Sequence, residues 1–331
     1  MKNRSRFLVL IACILASTNL LVPQWVQTNG PFGGPVSCFG SLGTNLFAGT
    51  EGGGVFRSTN TGNSWVSANS GLTNSYIQDL AASGTNLFAG TWNGGVFLST
   101  NNGTSWTAVN NGLMDLDVQA LMVSGSNLFA GTSVGTVFLS TNNGTSWTIV
   151  SNGLPKISVR SLEVLDDLAG NPILFAGTEG SGVFSSTNNG TNWTAVNNGL
   201  MNSYVMPLAT YGKYLYAGTG LGGVYLSTDN GSNWTSRSLN YPSGVSSLAI
   251  IPNEFGGTNL YAATTGGGIF LSTNNGISWR TVNAGLTITT VWSLLVSGTH
   301  LLAGTNDGIF LSNNNDTSWI AANTGLVSSV V

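Results

Sequence analysis

The 331-residue sequence carries few charges: 6% of its residues are charged, 41% are hydrophobic and 10% are aromatic. This aromatic content excludes a disordered chain, and the twelve acidic residues outnumber the nine basic ones, which argues against nucleic-acid binding. Forty-six glycines, set between short aromatic and β-branched runs, favour an all-β protein.

We expect residues 1–22 to form an export signal. Lys2, Arg4 and Arg6 make a basic beginning, and residues 7–16 form an apolar stretch. That stretch is shorter than the roughly 20 residues of a membrane span. The expected mature protein is therefore a secreted, periplasmic or cell-surface monomer without a membrane span.

Cys13 offers a second way of processing this end. Residues 10–13 (LIAC) resemble a bacterial lipobox, so lipidation at Cys13 stands beside simple cleavage and an uncleaved anchor. Beyond Cys13 the chain contains only Cys38, which excludes an intramolecular disulfide in the mature protein. We expect Cys38 to be a small buried residue in a strand.

Seven similar segments of eight residues, each ending in Trp, divide the remaining chain. Their tryptophans are 41, 41, 46, 41, 45 and 40 residues apart, which indicates a structural repeat. The segments are residues 58–65, 99–106, 140–147, 186–193, 227–234, 272–279 and 312–319.

The second unit shows the internal order of every repeat. Residues 77–82 form an apolar run and predict strand A, and residues 87–90 predict strand B. Residues 96–99 predict strand C, and Trp106 opens strand D. Four short strands in about 41 residues are typical of a propeller blade. The sequence therefore predicts an all-β, seven-bladed β-propeller of four-stranded antiparallel blades over residues 23–331.

The two ends of the array are less regular. Residues 25–28 look like an extra strand D ahead of the first unit, although the seven later units already contain complete sets of strands. Residues 325–329 repeat the start of a D–A loop, so we expect either a propeller truncated from a longer protein or a gene that ends inside a repeat array. How the ring closes is open at this point.

The eight-residue segment has a physical role as a turn. Asn101 is expected to accept backbone N–H bonds two residues on, as in an Asx turn, and Gly103 to adopt a positive φ. Trp106 is expected to cover the blade edge while its indole N–H keeps a partner. The segment is thus interpreted as a structural staple.

This pattern resembles the Asp-box (BNR) repeats of sialidase-like propellers. It is similar to exported propellers of the YVTN/BNR-like and photosystem II assembly factor-like types. One detail departs from the family, because only Asp229 keeps the acid of the motif. Asn stands at the other six positions, which are Asn60, Asn101, Asn142, Asn188, Asn274 and Asn314.

The resemblance implies that function is located at the end of the propeller formed by the B–C turns and D–A loops. Positions there differ between otherwise similar repeats, either because they face water and drift or because they bind a ligand. Exposed aromatic side chains beside amides suit sugars or peptide segments. The binding residues predicted on this interpretation are Tyr76, Gln78, Trp92, Gln119, Arg160, Tyr204 and Trp292.

The sequence lacks the residues that most classes of hydrolytic enzyme need for catalysis. His300 is the single histidine and stands at a turn position, so no Ser-His-Asp or Cys-His system and no His/Cys metal cluster can form. A sialidase needs three arginines, and Arg160 alone is expected at the binding end. Glycoside hydrolysis needs two carboxyls roughly 5–10 Å apart. The four candidates are Glu51, Asp115, Asp117 and Glu179.

These observations favour a non-catalytic exported propeller that binds a glycan or a protein, with no cofactor and no metal. The alternative is a carbohydrate-active enzyme that uses a carboxylate pair in the funnel.

Overall fold

The computed structural model describes residues 33–167, 169–253, 258–312 and 318–326. Within these ranges it contains 28 β-strands and no helix, and therefore no helix long and apolar enough to cross a membrane. The expected export signal, with Cys13, and the extra strand at residues 25–28 lie outside the described residues, as do Asn314 and most of residues 325–329.

The strands fall into four sets, from the central channel outwards. The innermost strands are β1 (Val36–Leu42), β5 (Ile77–Ser83), β9 (Val118–Ser124), β13 (Val159–Asp166), β17 (Val205–Tyr211), β21 (Val245–Pro252) and β25 (Val291–Ser297). The second strands are β2 (Asn45–Thr50), β6 (Asn86–Thr91), β10 (Asn127–Thr132), β14 (Pro172–Thr178), β18 (Tyr214–Thr219), β22 (Thr258–Thr264) and β26 (His300–Thr305).

The third strands are β3 (Gly54–Ser58), β7 (Gly95–Ser99), β11 (Val137–Ser140), β15 (Gly182–Ser186), β19 (Val224–Ser227), β23 (Ile269–Ser272) and β27 (Gly308–Ser312). The outer strands are β4 (Val66–Ser67), β8 (Thr107–Ala108), β12 (Thr148–Ile149), β16 (Thr194–Ala195), β20 (Thr235–Ser236), β24 (Arg280–Thr281) and β28 (Ile320–Ala321).

Each group of four consecutive strands forms one antiparallel sheet, and the seven sheets are blades 1 to 7 in chain order. Every blade runs from its innermost to its outer strand, so the strands A, B, C and D of the repeat follow each other without a crossover. The predicted seven-bladed, four-stranded antiparallel propeller is confirmed.

The hydrophobic core lies between neighbouring blades. One cluster joins Cys38 and Phe47 of blade 1 to Ile77, Leu87 and Trp106 of blade 2. A Cβ atom on Gly49 would lie 2.5 Å from Cys38 Sγ and 2.6 Å from Ile77 Cγ2, so this position in β2 needs glycine for the blades to approach. Cys38 is buried and unpaired in β1, as the sequence predicts.

The repeated turn is closed by a different set of hydrogen bonds from the expected one. The N–H two residues beyond Asn101 belongs to Gly103, and it donates to Ser99 Oγ at 2.9 Å. Asn101 Oδ1 instead accepts the N–H of Ser105, four residues on, at 2.9 Å. The Asx-turn expectation was wrong because the Ser99 hydroxyl, at the end of β7, already accepts the N–H of Gly103. The Asn101 side chain therefore accepts the N–H of Ser105. Gly103 has the expected positive φ, at 74°.

The tryptophans of the turns connect successive blades. Trp106 of blade 2 donates its indole N–H to the carbonyl of Ala68 in blade 1 at 2.7 Å. The same bond recurs from Trp147, Trp193, Trp234, Trp279 and Trp319, each to a carbonyl of the preceding blade. The indole N–H of Trp65 is buried without a hydrogen-bond partner among the described residues.

The ring closes by direct packing of blade 7 against blade 1. Ser293 Oγ of β25 donates to the carbonyl of Val36 in β1 at 3.0 Å, and the backbone N–H of Trp65 donates to Thr324 O at 2.8 Å. Since both blades supply all four of their own strands, closure in the described part of the chain needs no strand shared between the two ends.

The Asn101→Ala substitution should lower the free energy of unfolding by about 1 kcal/mol, because it leaves the N–H of Ser105 without its side-chain acceptor at an exposed turn. Asn101→Asp keeps the acceptor, as Asp229 does for the N–H of Asn233 in blade 5, and should cost less. Urea unfolding of both variants measures this difference, and equal losses would show that the acceptor is not what matters.

Candidate functional site

The B–C turns and the D–A loops lie together at one end of the propeller, which we call the loop face. The N–H groups of Gly52 and Gly54, in the B–C turn of blade 1, both donate to Ser75 O in the loop that enters blade 2, at 3.0 and 2.9 Å. In the same way Gly95 donates to Leu116 O at 2.8 Å. In blades 1 and 2 the turn therefore supports the neighbouring loop, and the repeated turns occupy the opposite end.

A β-bulge lies at the loop-face end of every innermost strand. In β5, for example, Ile77 and Asp79 pair with Thr91 and Gly90, and Gln78 between them has no pairing partner. A bulge of this kind re-aims the side chain of the extra residue. The corresponding residues in blades 1 to 7 are Ser37, Gln78, Gln119, Arg160, Met206, Ser246 and Trp292.

The seven bulge residues meet around the channel axis. Together with Glu51 they line a cavity of about 280 Å³, which we call the mouth. Beneath it the central channel continues as a second cavity of about 320 Å³, lined mainly by the innermost strands. A polar and aromatic ring with one member from each blade can thus contact a ligand placed on the axis.

A chain of polar contacts crosses one side of the mouth. Arg160 Nε lies 2.8 Å from Glu179 Oε2, with both side chains one-third exposed. Arg160 Nη1 donates to Gln119 Oε1 at 2.7 Å, and Gln119 Nε2 donates to Asp117 Oδ1 at 2.6 Å. This series of contacts holds four of the predicted residues in one orientation across blades 3 and 4.

On the other side of the mouth the bulge residues bind their own blades or a neighbour. The Trp292 indole N–H donates to Asn306 Oδ1 at 2.6 Å, which holds the ring at the mouth. Ser37 Oγ donates to Ile77 O at 2.6 Å, across the boundary between blades 1 and 2. Ser246 makes the equivalent contact to Val291 O.

Three predicted aromatic residues lie beside the mouth and do not line it. Tyr76 and Trp92 are 44% and 46% exposed, and their ring centroids are 5.5 Å apart in an edge-to-face contact. The backbone of Tyr76 bridges to that of Glu51, which places the pair next to the Glu51 side of the mouth. Tyr204 has the matching place in blade 5, where it bridges to Glu179.

The sequence matches a known family over most of its length. The model of the family described as "DUF6242 beta propeller domain" matches residues 24–249, more than half of the sequence. The chain belongs to this family. No curated protein matches it significantly.

Solved structures share the fold of this DUF6242 propeller at low identity. A GH74 xyloglucanase from Xanthomonas campestris is 17% identical with a TM-score of 0.74, over 91% of this chain and 56% of that chain. The extracellular domain of a putative hybrid two-component system from B. thetaiotaomicron is 18% identical with a TM-score of 0.69, over 87% of this chain and 39% of that one.

YCF48 from Cyanidioschyzon merolae is 14% identical with a TM-score of 0.64, and the match covers 87% of the DUF6242 propeller and 97% of YCF48. At these identities the likeness extends to the fold alone. The chain spans about half or less of the length of the xyloglucanase and of the sensor domain.

The four candidate carboxylates have different surroundings in the DUF6242 propeller. Glu51 lines the mouth, and its carboxylate has no hydrogen bond or ion pair within the described residues. Glu179 pairs with Arg160, Asp117 accepts the Gln119 amide, and Asp115 Oδ1 accepts the N–H of Asp117 at 3.1 Å. Glu51 is therefore the candidate that faces the mouth unpaired.

Two further carboxyls, Asp79 and Glu163, line the channel below the mouth, and the sequence analysis did not single them out. Burial raises the pKa of Asp79 to about 6 and that of Glu163 to about 7. Other blades carry small or apolar residues at these two strand positions, such as Ala120 and Gly40. A carboxyl at a position that is uncharged in the other repeats was the signal that could have found them.

Asp79 has a structural task. Its two carboxylate oxygens accept the N–H groups of Leu80 at 2.8 Å and of Leu121 at 2.7 Å, so it connects β5 to β9 in the next blade. Ser247 does the same for the N–H of Leu294 at 3.1 Å. Glu163 accepts a longer bond, 3.4 Å, from the Thr210 hydroxyl.

No group of three or more His, Cys, Asp or Glu side chains that could hold a metal occurs within the described ranges. In the longer loop of blade 4, Asp167 Oδ1 accepts the backbone N–H groups of Ala169 and Asn171, both at 2.8 Å. These bonds lower the pKa of Asp167 and use its carboxylate to close the loop.

Proposed function

We propose that this chain is a non-catalytic binding or scaffold module that takes a glycan or a protein ligand at the mouth on its loop face. The observation that carries the proposal is the β-bulge repeated in seven innermost strands. It directs toward the axis a strand position at which the repeats differ in size, polarity and charge, while every blade keeps the same four-stranded arrangement. A scaffold built this way varies its contacts without changing its fold.

The chemistry of the loop face supports a ligand with both polar and apolar parts. Most of the large exposed apolar side chains of the described residues belong to this face. They are Tyr76, Trp92, Met114, Leu116, Val134, Met201, Leu221 and Tyr241. Aromatic and Met side chains beside amides and a guanidinium are the composition of protein and sugar binding surfaces. That YCF48 has been solved with a bound peptide is consistent with a propeller of this shape serving as a binding module.

The second candidate is a glycoside hydrolase, and one observation favours it. A carboxyl with a pKa near 7, as in Glu163, suits a general acid. Against it, Glu179 and Asp117 are engaged by Arg160 and Gln119. A hydrolase needs two carboxyls on either side of one sugar bond, and Glu51 alone among the predicted four lines the mouth unpaired.

The type of repeat and the export of the chain are further parts of this proposal. We propose that the repeats are of the Asp-box (BNR) type, supported by the bonds of Ser99 and Asn101 that close the turn. We also propose an exported monomer with an N-terminal signal at residues 1–22, processed by cleavage or by lipidation at Cys13, followed by the propeller. The extracellular sensor domain among the similar structures is consistent with export.

The proposal is tested by screening the purified mature chain on a glycan array and on a phage-displayed peptide library. We expect saturable binding to members of one panel, and we expect soluble versions of those ligands to be recovered intact after long incubation. Shortened oligosaccharides whose formation is abolished by Glu163→Gln would establish the hydrolase. An absence of binding on both the glycan array and the peptide library would contradict a glycan or peptide ligand.

A further inference from the structure

Blades 1 and 4 carry the same local arrangement at the loop face. Glu51 and Glu179 each follow the Thr that ends the second strand, and each forms an isolated antiparallel bridge to a tyrosine of the next D–A loop, Tyr76 and Tyr204. Two carboxylates in matching backbone settings can be compared directly, because differences between them come from their side-chain neighbours.

The two carboxylates differ in whether a cation meets them. In blade 4 the bulge residue is Arg160, and its guanidinium lies 2.8 Å from Glu179. In blade 1 the bulge residue is Ser37, whose short side chain donates to Ile77 O and Gly49 O. Among the described residues, Glu51 thus faces the mouth without the cation that its counterpart Glu179 pairs with.

Blade 2 adds two aromatic rings next to Glu51, whereas blade 5 adds one ring, that of Tyr204, at the matching place next to Glu179. A Cβ on Gly52, the residue after Glu51, would lie 4.0 Å from Tyr76 Cζ, and Trp92 contacts Tyr76 edge to face. In blade 5 the residue that matches Trp92 is Gly220, and the Tyr204 ring lies against it.

The aromatic pair is held in place before any ligand arrives. Asn74 accepts the N–H of Tyr76 at 2.9 Å and donates to Trp92 O at 2.8 Å, and the N–H of Trp92 donates to Tyr76 O at 3.0 Å. Because both backbones are held by these bonds and the rings contact each other, little of the pair has to be rearranged on binding, which favours affinity.

We propose that Glu51, Tyr76 and Trp92 form a receptor for an arginine side chain of a protein ligand. A carboxylate and aromatic faces both attract a cation. A guanidinium is favoured over an ammonium because it pairs with the carboxylate in a planar, two-bond geometry and stacks on rings. Within the same chain, Glu179 already lies 2.8 Å from a guanidinium nitrogen, Arg160 Nε, in the matching backbone setting. The inference rests on the proposed binding function of the loop face and names the ligand chemistry of one part of it.

The test uses three capped tripeptides, glycine-X-glycine, in which X is arginine, lysine or citrulline, the neutral isostere of arginine. Binding to the full mature chain is followed by the indole ¹H–¹⁵N signal of Trp92, assigned with Trp92→Phe. We expect the arginine peptide to shift this signal saturably, the lysine peptide to bind more weakly and the citrulline peptide to leave it unchanged.

Two variants test the site. Glu51→Gln should weaken binding of the arginine peptide by at least about tenfold, whereas Ile277→Ala, at an exposed position in a repeated turn at the opposite end, should leave the affinity unchanged. Equal shifts with citrulline, or undiminished binding by Glu51→Gln, would overturn the proposal. Ligands from the wider screens would still bind at the mouth in that case, so failure here is distinct from failure of the binding function.

Discussion

The Trp147→Ala variant is expected to have a free energy of unfolding lower by roughly 3 kcal/mol or more. Trp147 is 4% exposed and packs with Phe88, Val118 and Phe138 between blades 2 and 3. Its indole N–H donates to Val109 O at 2.7 Å, and removing it also leaves that partly buried carbonyl without this donor. Loss of the ring and of the bond act on the same inter-blade contact.

Denaturant unfolding followed by circular dichroism measures this effect, with Trp92→Ala as the matched control. Trp92 is 46% exposed at the loop face, so its removal should change stability by less than about 1 kcal/mol. Trp147→Phe keeps most of the buried ring and should have an intermediate effect. An unchanged midpoint for Trp147→Ala would show that the tryptophan of the repeated turn does not hold neighbouring blades together.

The second large effect concerns pH. Glu163 has a pKa of about 7 in the folded chain against 4.5 as its ordinary value. Below pH 4.5 the carboxyl is protonated in both the folded and the unfolded state, and above pH 7 it is ionised in both. Between these values the folded state binds more protons, so stability falls as the pH rises. Asp79, with a pKa of about 6, acts in the same direction.

Glu163→Gln removes this penalty without changing the size of the side chain. At pH 8 the variant should therefore be more stable than the wild type by about 2 kcal/mol, and at pH 4.5 the two should be nearly equal. Unfolding curves at the two pH values test the difference. The same offset at both pH values would mean that packing, not ionisation, distinguishes the variant from the wild type.

The fold could be predicted because the same strand and turn signals occur in each of the seven repeats. In the second unit the apolar run expected over residues 77–82 is β5, Ile77–Ser83, and the run over residues 96–99 is β7, Gly95–Ser99. Period-two strands, Gly-rich turns and a Trp at fixed spacing are local signals, and each blade repeats them. Ring closure depends on contacts between residues far apart in sequence, which the repeat pattern does not specify.

The site was less accessible to sequence reasoning. Variation between repeats located the positions of Gln119 and Arg160, but the bulge that turns both toward the axis follows from the register of paired strands. The ion pair of Arg160 with Glu179 also required the structure. Variation between repeats and their aromatic rings also placed Tyr76 and Trp92 with the funnel residues, but they lie beside the mouth because their loops support each other there.

The most direct test of binding at the mouth compares the two ends of the propeller. A ligand obtained from the glycan or peptide screen is titrated against wild type, against Trp292→Ala in the mouth and against Ile277→Ala, which is 72% exposed in a repeated turn at the opposite end. We predict that Trp292→Ala weakens binding by about tenfold or more and that Ile277→Ala matches wild type. Binding that survives in Trp292→Ala and is lost in Ile277→Ala would contradict the account.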